Sequence, residues 1–271
     1  MIPYFTKNKA NYQLRKGSYV KSYSISVKFW YNKGIKMQPE NEKLPLIGDV
    51  APSFTANTTN GPISFPEDYR GRWVVLFSHP MDFTPVCTTE FLSFQSALNE
   101  FKKLNTEIIG LSVGAIPSHL AWFHSIYADI DFMGMKNTQI TFPVIADMDL
   151  NISKLYGMIH PKTSDTKTVR AVFIIDPHGI IRTILYYPQT IGRNINEILR
   201  ILTALETHDT FGVSTPADWT PGKPVIEPTP QTTKDLHKRI ATKNKHVNVQ
   251  SWYLGFRDLP ESTIYEKLKK N

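Results

Sequence analysis

Apolar and polar positions along this chain fall into two alternating patterns. Trp73–Ser78 (WVVLFS) is an unbroken apolar run of strand length, as expected of a strand covered on both faces. Just beyond it, Phe91, Phe94, Leu98 and Phe101 recur at helical spacing. Glu107–Val113 (EIIGLSV) predicts the next strand, Ser118 to about Asp129 a helix, and Pro143–Ala146 a short strand. Asp149 can cap a brief helix that Gly157 ends. Val169–Ile175 and Ile180–Tyr187 flank the turn sequence Asp176-Pro177-His178-Gly179, which predicts a hairpin. Asn194 with Glu197 resembles a capping box. Ile195, Ile198, Leu199, Leu202 and Leu205 then line one helix face.

The resulting order, β-α-β-α-β-α-β-β-α, defines an α/β domain. Its central sheet is mixed, with parallel crossovers and one antiparallel hairpin. After Phe211 the character changes. Pro216, Pro221, Pro224, Pro228 and Pro230 space a segment unsuited to regular helix or central strand, so an extended arm is expected. Trp219, Trp252, Tyr253 and Phe256 give that arm apolar anchors, for a second subunit or for its own domain. The expected division is a basic extension over 1–36, disordered; a domain over 44–212; and a C-terminal arm over 213–271.

Composition narrows the function. With 41% apolar and 12% aromatic residues the chain can bury a core, and no apolar run is long enough to span a membrane. The formal charge of +7 suggests nucleic acid, but residues 1–36 alone hold eight Lys/Arg and no acid. Taking those away leaves about −1 for the rest, so the body lacks the footprint of a nucleic-acid binder. The basic leader reads as a targeting peptide or as a dispensable segment with Met37 as the natural start. A single cysteine excludes an internal disulfide or a thiolate zinc cluster and suits a reducing, cytoplasmic setting; organelle targeting by the leader is the alternative.

That cysteine, Cys87, follows Thr84-Pro85-Val86. Threonine suits an N-cap and proline the first helical position, which puts the Cys87 thiol at N3, among unpaired N–H groups at the positive helix end. Such a place favours a thiolate. The Thr84 hydroxyl is placed to donate to the sulfur or to a substrate. A lone cysteine is more often buried and inert, but an inert one needs neither the proline nor the helix start. A thioredoxin-type redox motif needs a second cysteine close by in a C-x-x-C pair, which is missing.

The stretch FSHPMDFTPVCTTE, Phe77 to Glu90, resembles the peroxiredoxin signature P-x-x-x-T-x-x-C, filled by Pro80, Thr84 and Cys87. Ser78-His79 before it and Thr88-Thr89-Glu90 after it are similar to the one-cysteine, peroxiredoxin 6-like subfamily of the AhpC/TSA family. GDVAPSFTANTT at 48–59, FPVIAD at 142–147, RAVFIIDPHGIIR at 170–182, YYPQTIGRN at 186–194 and TPADWTPGKPVI at 215–226 extend the resemblance over about 44–230.

The resemblance implies a thioredoxin-like fold with a C-terminal arm and a thiol-specific peroxidase. Cys87 would be the peroxidatic cysteine, passing through a sulfenic acid. Pro80 would shield the pocket, while Thr84 and Arg170 would bind the peroxide. His79, Glu90 and Arg193 would order the surroundings. A free thiol of pKa about 8.5 is only a few per cent ionised at pH 7. Full ionisation therefore gains about thirtyfold, or about 2 kcal/mol, and the remaining acceleration must come from groups holding the peroxide.

The family usually forms dimers and some members build rings of five, so a homodimer or homodecamer is implied. Without a second cysteine, reduction falls to an external thiol, either a thioredoxin-like protein or a small molecule. No metal or cofactor is expected: the eight histidines look scattered and no phosphate loop is present. Asp147 and Asp149 read as helix caps. Some one-cysteine relatives carry a lipase-like Gly-x-Ser-x-Gly motif; here the stretch is Arg70-Gly71-Arg72-Trp73-Val74, without the serine. The alternative function is an oligomeric chaperone or peroxide sensor that uses the same thiol as a switch.

Overall fold

The computed structural model describes residues 44–241 and 247–269. The expected basic extension over 1–36, with Met37, lies outside the described residues.

The strand predicted at Trp73–Ser78 is β3, which lies inside a seven-stranded mixed sheet. The chain reaches it through a hairpin of β1 (Phe54–Thr58) and β2 (Gly61–Phe65). The predicted alternation then follows: α1 (Pro85–Lys103), β4 (Thr106–Ser112), α2 (Ile116–Asp129), β5 (Val144–Ala146), α3 (Asn151–Leu155), β6 (Arg170–Ile175), β7 (Ile181–Tyr187) and α4 (Ile195–Phe211). The sheet order is β2-β1-β5-β4-β3-β6-β7. β4 pairs in parallel with β3 and β5, while β6 runs antiparallel to both β3 and β7.

Side-chain alternation sorts two cores. From β3 and β6, Trp73, Val75, Phe77, Val172 and Ile174 face a cluster shared with Phe91, Phe94 and Phe101 of α1, Trp122 of α2, and Ile198 and Leu202 of α4. Val74, Leu76, Ala171, Phe173 and Ile175 point the other way, toward Phe65, Ile152, Tyr156 and Met158. Covered on both sides, β3 and β6 are buried at every position, which is why they read as continuous apolar runs.

Asp149 is not the main cap of α3. Leu150 occupies the cap position with a left-handed φ of 64°, and Asp147 reaches past it to accept from the Ile152 and Ser153 amides at 3.0 and 2.7 Å. Among the described residues Asp149 accepts only from the Asn151 amide, at 3.3 Å, and from the Asn151 side chain, at 2.5 Å. At α4 half of the expected box forms. Asn194 accepts from the Glu197 amide, but the Glu197 carboxylate turns outward to Arg200.

The proline-spaced segment is extended as expected, with one short strand, β8 (Val225–Ile226). More regular structure follows: α5 (Thr233–Ala241), β9 (Val247–Ser251), β10 (Leu254–Arg257) and α6 (Glu261–Leu268). β8, β10 and β9 form a small antiparallel sheet. The arm's aromatics divide. Trp219 is fully buried in the core of its own chain, in the same cluster as Ile264 and Leu268 of α6, whereas Trp252 and Tyr253 are exposed at the β9–β10 turn.

Candidate active site

Cys87 is the third residue of α1, which starts directly after the 79–84 loop leaves the end of β3. Thr84 holds the N-cap position in extended conformation and Pro85 the first helical one. The expected use of the Thr84 hydroxyl is not observed. It makes no capping bond and donates to the Met81 carbonyl at 2.9 Å, so its oxygen faces any further partner as an acceptor. Pro80 is buried within this loop.

Arg170, the first residue of β6, is buried, and its Nη1 donates to Cys87 Sγ at 3.3 Å. The same nitrogen donates to Glu90 Oε2 at 2.6 Å, and Nε and Nη2 both reach the Gln189 carbonyl, at 3.1 and 2.7 Å. Three partners therefore fix the guanidinium plane before any ligand arrives.

Glu90, one helical turn after Cys87, also binds Arg193. It accepts from the Arg193 backbone N–H and Nε at 2.8 Å each, and from Nη2 at 2.6 Å. Arg193 Nη1 donates to the carbonyls of Ser78 and Ala171 at 2.9 and 3.0 Å, and its guanidinium lies over Phe77 at 4.9 Å. Burial would raise the Glu90 pKa. Arg193 foremost, then Arg170, reverses that and holds it below the usual carboxylate range. One carboxylate between two guanidiniums leaves a net positive charge beside the sulfur.

The histidines are not all scattered. His79 Nε2 lies 2.9 Å from Asp82 Oδ1, and His119 Nδ1 lies 3.0 and 2.8 Å from the two Asp82 oxygens. Ser118 Oγ donates to Oδ2 at 2.6 Å. The pairing escapes the sequence because the two histidines stand far apart in the chain, and only the packing of the start of α2 on the loop brings them together. The His79, Asp82 and His119 ligand atoms lie within 4.8 Å of one another, a set able in principle to hold a metal ion. Their N···O spacings are those of direct hydrogen bonds, which already spend the facing nitrogens. Burial pushes His79 down, toward the neutral form. Burial also works against the Asp82 anion, but bonds from His119, His79 and Ser118 outweigh it and hold that carboxyl well below its ordinary range.

Pro80, Thr84, Cys87, Arg170, His79, Glu90 and Arg193, the site residues expected from the sequence, thus lie in the loop, in the first two turns of α1 or beside them. Asp82, Ser118, His119 and Gln189 join the network without having been assigned. Asp82 was visible inside the quoted signature, and Gln189 inside YYPQTIGRN.

A cysteine at a helix start, facing an arginine fixed on a strand of a thioredoxin-like sheet, defines a class of thiol peroxidases. The comparisons agree. Residues 47–184 match the AhpC/TSA family, and 204–241 match the C-terminal domain of 1-Cys peroxiredoxin. A peroxiredoxin of Methanosarcina mazei is 53% identical over 211 residues, covering 78% of this chain and 96% of that protein. Peroxiredoxin 2 of Caldanaerobacter subterraneus is 52% identical over 214 residues, covering 79% and 93%. Among solved structures, yeast mitochondrial 1-Cys peroxiredoxin superposes with a TM-score of 0.69 at 39% identity, covering 80% of this chain and 100% of that one. A cysteine-to-serine mutant of peroxiredoxin 6 of Arenicola marina gives 0.69 at 32% identity, covering 80% and 99%. This chain belongs to the peroxiredoxin (AhpC/TSA) family, and its activity is that of a thiol-dependent peroxidase.

Proposed function

We propose that Cys87 is the atom-transferring residue and that Pro80, Thr84 and Arg170 form the peroxide pocket around it. The Cys87 thiolate attacks the nearer oxygen of a hydroperoxide. An S–O bond forms as the O–O bond breaks, the sulfur keeps the hydroxyl as a sulfenic acid, and the departing oxyanion takes a proton to leave as water or alcohol. Arg170 faces the charge that develops on the leaving oxygen, the Thr84 oxygen accepts from the peroxide O–H, and Pro80 keeps bulk water out. His79, Glu90 and Arg193 hold these groups in place. One observation carries the reading: the Arg170 guanidinium lies 3.3 Å from Sγ and is anchored by Glu90 through the same nitrogen and by the Gln189 carbonyl through its other two.

The chain has no second cysteine, so the sulfenic acid condenses with an external thiol, expelling water, and a second thiol cleaves the mixed disulfide. The yeast relative is described with glutathione and thioredoxin systems, which supports a small thiol or a thioredoxin-like protein as reductant here. Residues 44–212 act as the peroxidase domain and 213–271 as the arm of a homodimer, with a homodecamer as the larger assembly. The protein works in the cytoplasm, or in an organelle if residues 1–36 target it; localising a tagged chain with and without them decides which. Among the described residues no helix is long and apolar enough to cross a membrane.

The deciding experiment is peroxide consumption with glutathione, dithiothreitol and thioredoxin as donors. Wild type is expected to turn over many equivalents and Cys87→Ser none. Consumption of a single equivalent, or turnover by Cys87→Ser, would overturn the reading.

A further inference from the structure

Asp82 sits in the middle of the signature loop, between Pro80 and Thr84, and is 5% exposed. A buried carboxylate is costly unless its oxygens are met, and here they are. They accept from His79 on the loop itself and from Ser118 and His119 in the first turn or so of α2. The anion also faces the positive end of that helix.

Two observations show what this bond set does. The first is space. A Cβ placed on Gly114, just before α2, would lie 3.0 Å from Asp82 Oδ2, 3.0 Å from His119 Cε1 and 3.3 Å from Ser112 Oγ. The backbone there is not left-handed, so glycine serves to let the carboxylate approach. The second is strain. Phe83, next to Asp82, has a φ of 54°, a conformation costly for a bulky residue and stable only when its flanks are fixed. Asp82 fixes one flank against α2, and the Thr84–Met81 hydrogen bond fixes the other. The same tie continues inward, since the His79 carbonyl accepts from Thr168, just before Arg170.

We propose that Asp82 is a positioning residue for the peroxidase reaction: by clamping the 79–84 loop to the start of α2, it holds Pro80 and Thr84 in register with Cys87 and Arg170. The inference rests on the reading of Cys87 as the peroxide-reactive sulfur. The described partners of the Asp82 carboxylate are His79, Ser118 and His119, not the sulfur. Loss of the carboxylate would leave the thiol reactive but the peroxide badly held.

The test compares two reagents on folded protein, checked by a cooperative thermal transition. Cys87 is fully buried, so either reagent reaches it only as the loop opens; hydrogen peroxide then needs the assembled pocket, whereas iodoacetamide needs only the bared nucleophilic sulfur. In Asp82→Ala the rate with peroxide is expected to fall about 100-fold, the scale of a misplacement of about 1 Å, while alkylation stays equal or rises. Asp82→Asn, which keeps an acceptor, is expected to fall between Asp82→Ala and wild type. Gly114→Ala removes no bonding group but crowds the carboxylate together with His119 and Ser112, and it carries the test if Asp82→Ala does not fold; a loss of about tenfold with peroxide alone is expected. A peroxide rate within about twofold of wild type in folded Asp82→Ala or Gly114→Ala overturns the proposal. So does parallel slowing with both reagents, which would place the effect on the sulfur. Peroxide turnover by Cys87→Ser, run alongside, would instead overturn the reading of the sulfur itself.

Discussion

At the scale of single residues, the buried charges near and far from the sulfur respond to pH in opposite directions. The Glu90 carboxyl is held below its unfolded value, so it contributes stability above about pH 4.3, and that contribution is lost as pH falls through the lowered folded value. Glu90→Gln leaves Arg170 and Arg193 buried without their anion. It is expected to cost about 3–5 kcal/mol in urea denaturation at pH 7 and to lose the acid-dependent part of the wild-type profile. Glu206 is the reverse case. It is buried on α4 with Oε1 unpartnered among the described residues, and burial, helped by nearby Asp209, raises it to about 8. Its folded form holds a proton that the unfolded chain has released, so stability falls as pH rises from about 4.3 to about 8. Glu206→Gln removes that slope. The stability difference between variant and wild type is expected to shift in the variant's favour by about 1–3 kcal/mol from about pH 5 to about pH 8, and an unchanged difference would remove Glu206 as its source.

At the scale of elements, the helix ends decide most of what the site can do. Asp147 anchors α3 from outside the helix through the Ile152 and Ser153 amides and the Ser153 hydroxyl, at 3.0, 2.7 and 2.5 Å. Asp147→Ala is therefore expected to destabilise by about 1–3 kcal/mol, read by thermal denaturation, with Asp149→Ala costing less than half as much. The same pair shows where the sequence is legible and where it is not. Both aspartates announce a helix start, but the left-handed turn at Leu150 hands the cap to the earlier one, and no local pattern foretells that turn. Strands β3 and β6 are readable because burial on both faces makes them continuous apolar runs. The β1–β2 hairpin is absent from the sequence reading. Its Phe54 and Ala56 alternate with polar residues, and Asn60-Gly61 at its turn is the available signal. The site divides in the same way. Pro80, Thr84 and Cys87 are close in sequence and form a motif, and Arg170 follows from resemblance. His119 joins only through the packing of α2, a contact between distant segments that spacing cannot express.

At the scale of the whole molecule, the arm has two kinds of surface. Trp219, Val225, Leu259, Ile264 and Leu268 are buried in the domain's own core cluster, so part of the arm belongs to the monomer's core. Trp252 and Tyr253, at the tip of β9–β10, leave about half their surfaces in water, at 51% and 53% exposure. Two adjacent aromatics on a hairpin tip are the kind of anchor that an interface buries, and such residues carry a disproportionate share of binding energy. The proposed homodimer then makes a separable prediction. The double variant Trp252→Asp, Tyr253→Asp is expected to keep the monomer's thermal transition, because neither side chain is in its core, and to dissociate more readily in sedimentation at micromolar concentration. Trp219→Ala is expected to lose about 3–5 kcal/mol of stability, because that ring is in the core of its own chain. If the double variant sediments as wild type does, the subunit contact lies elsewhere on the molecule and the hairpin tip is only a solvent-facing end of the arm.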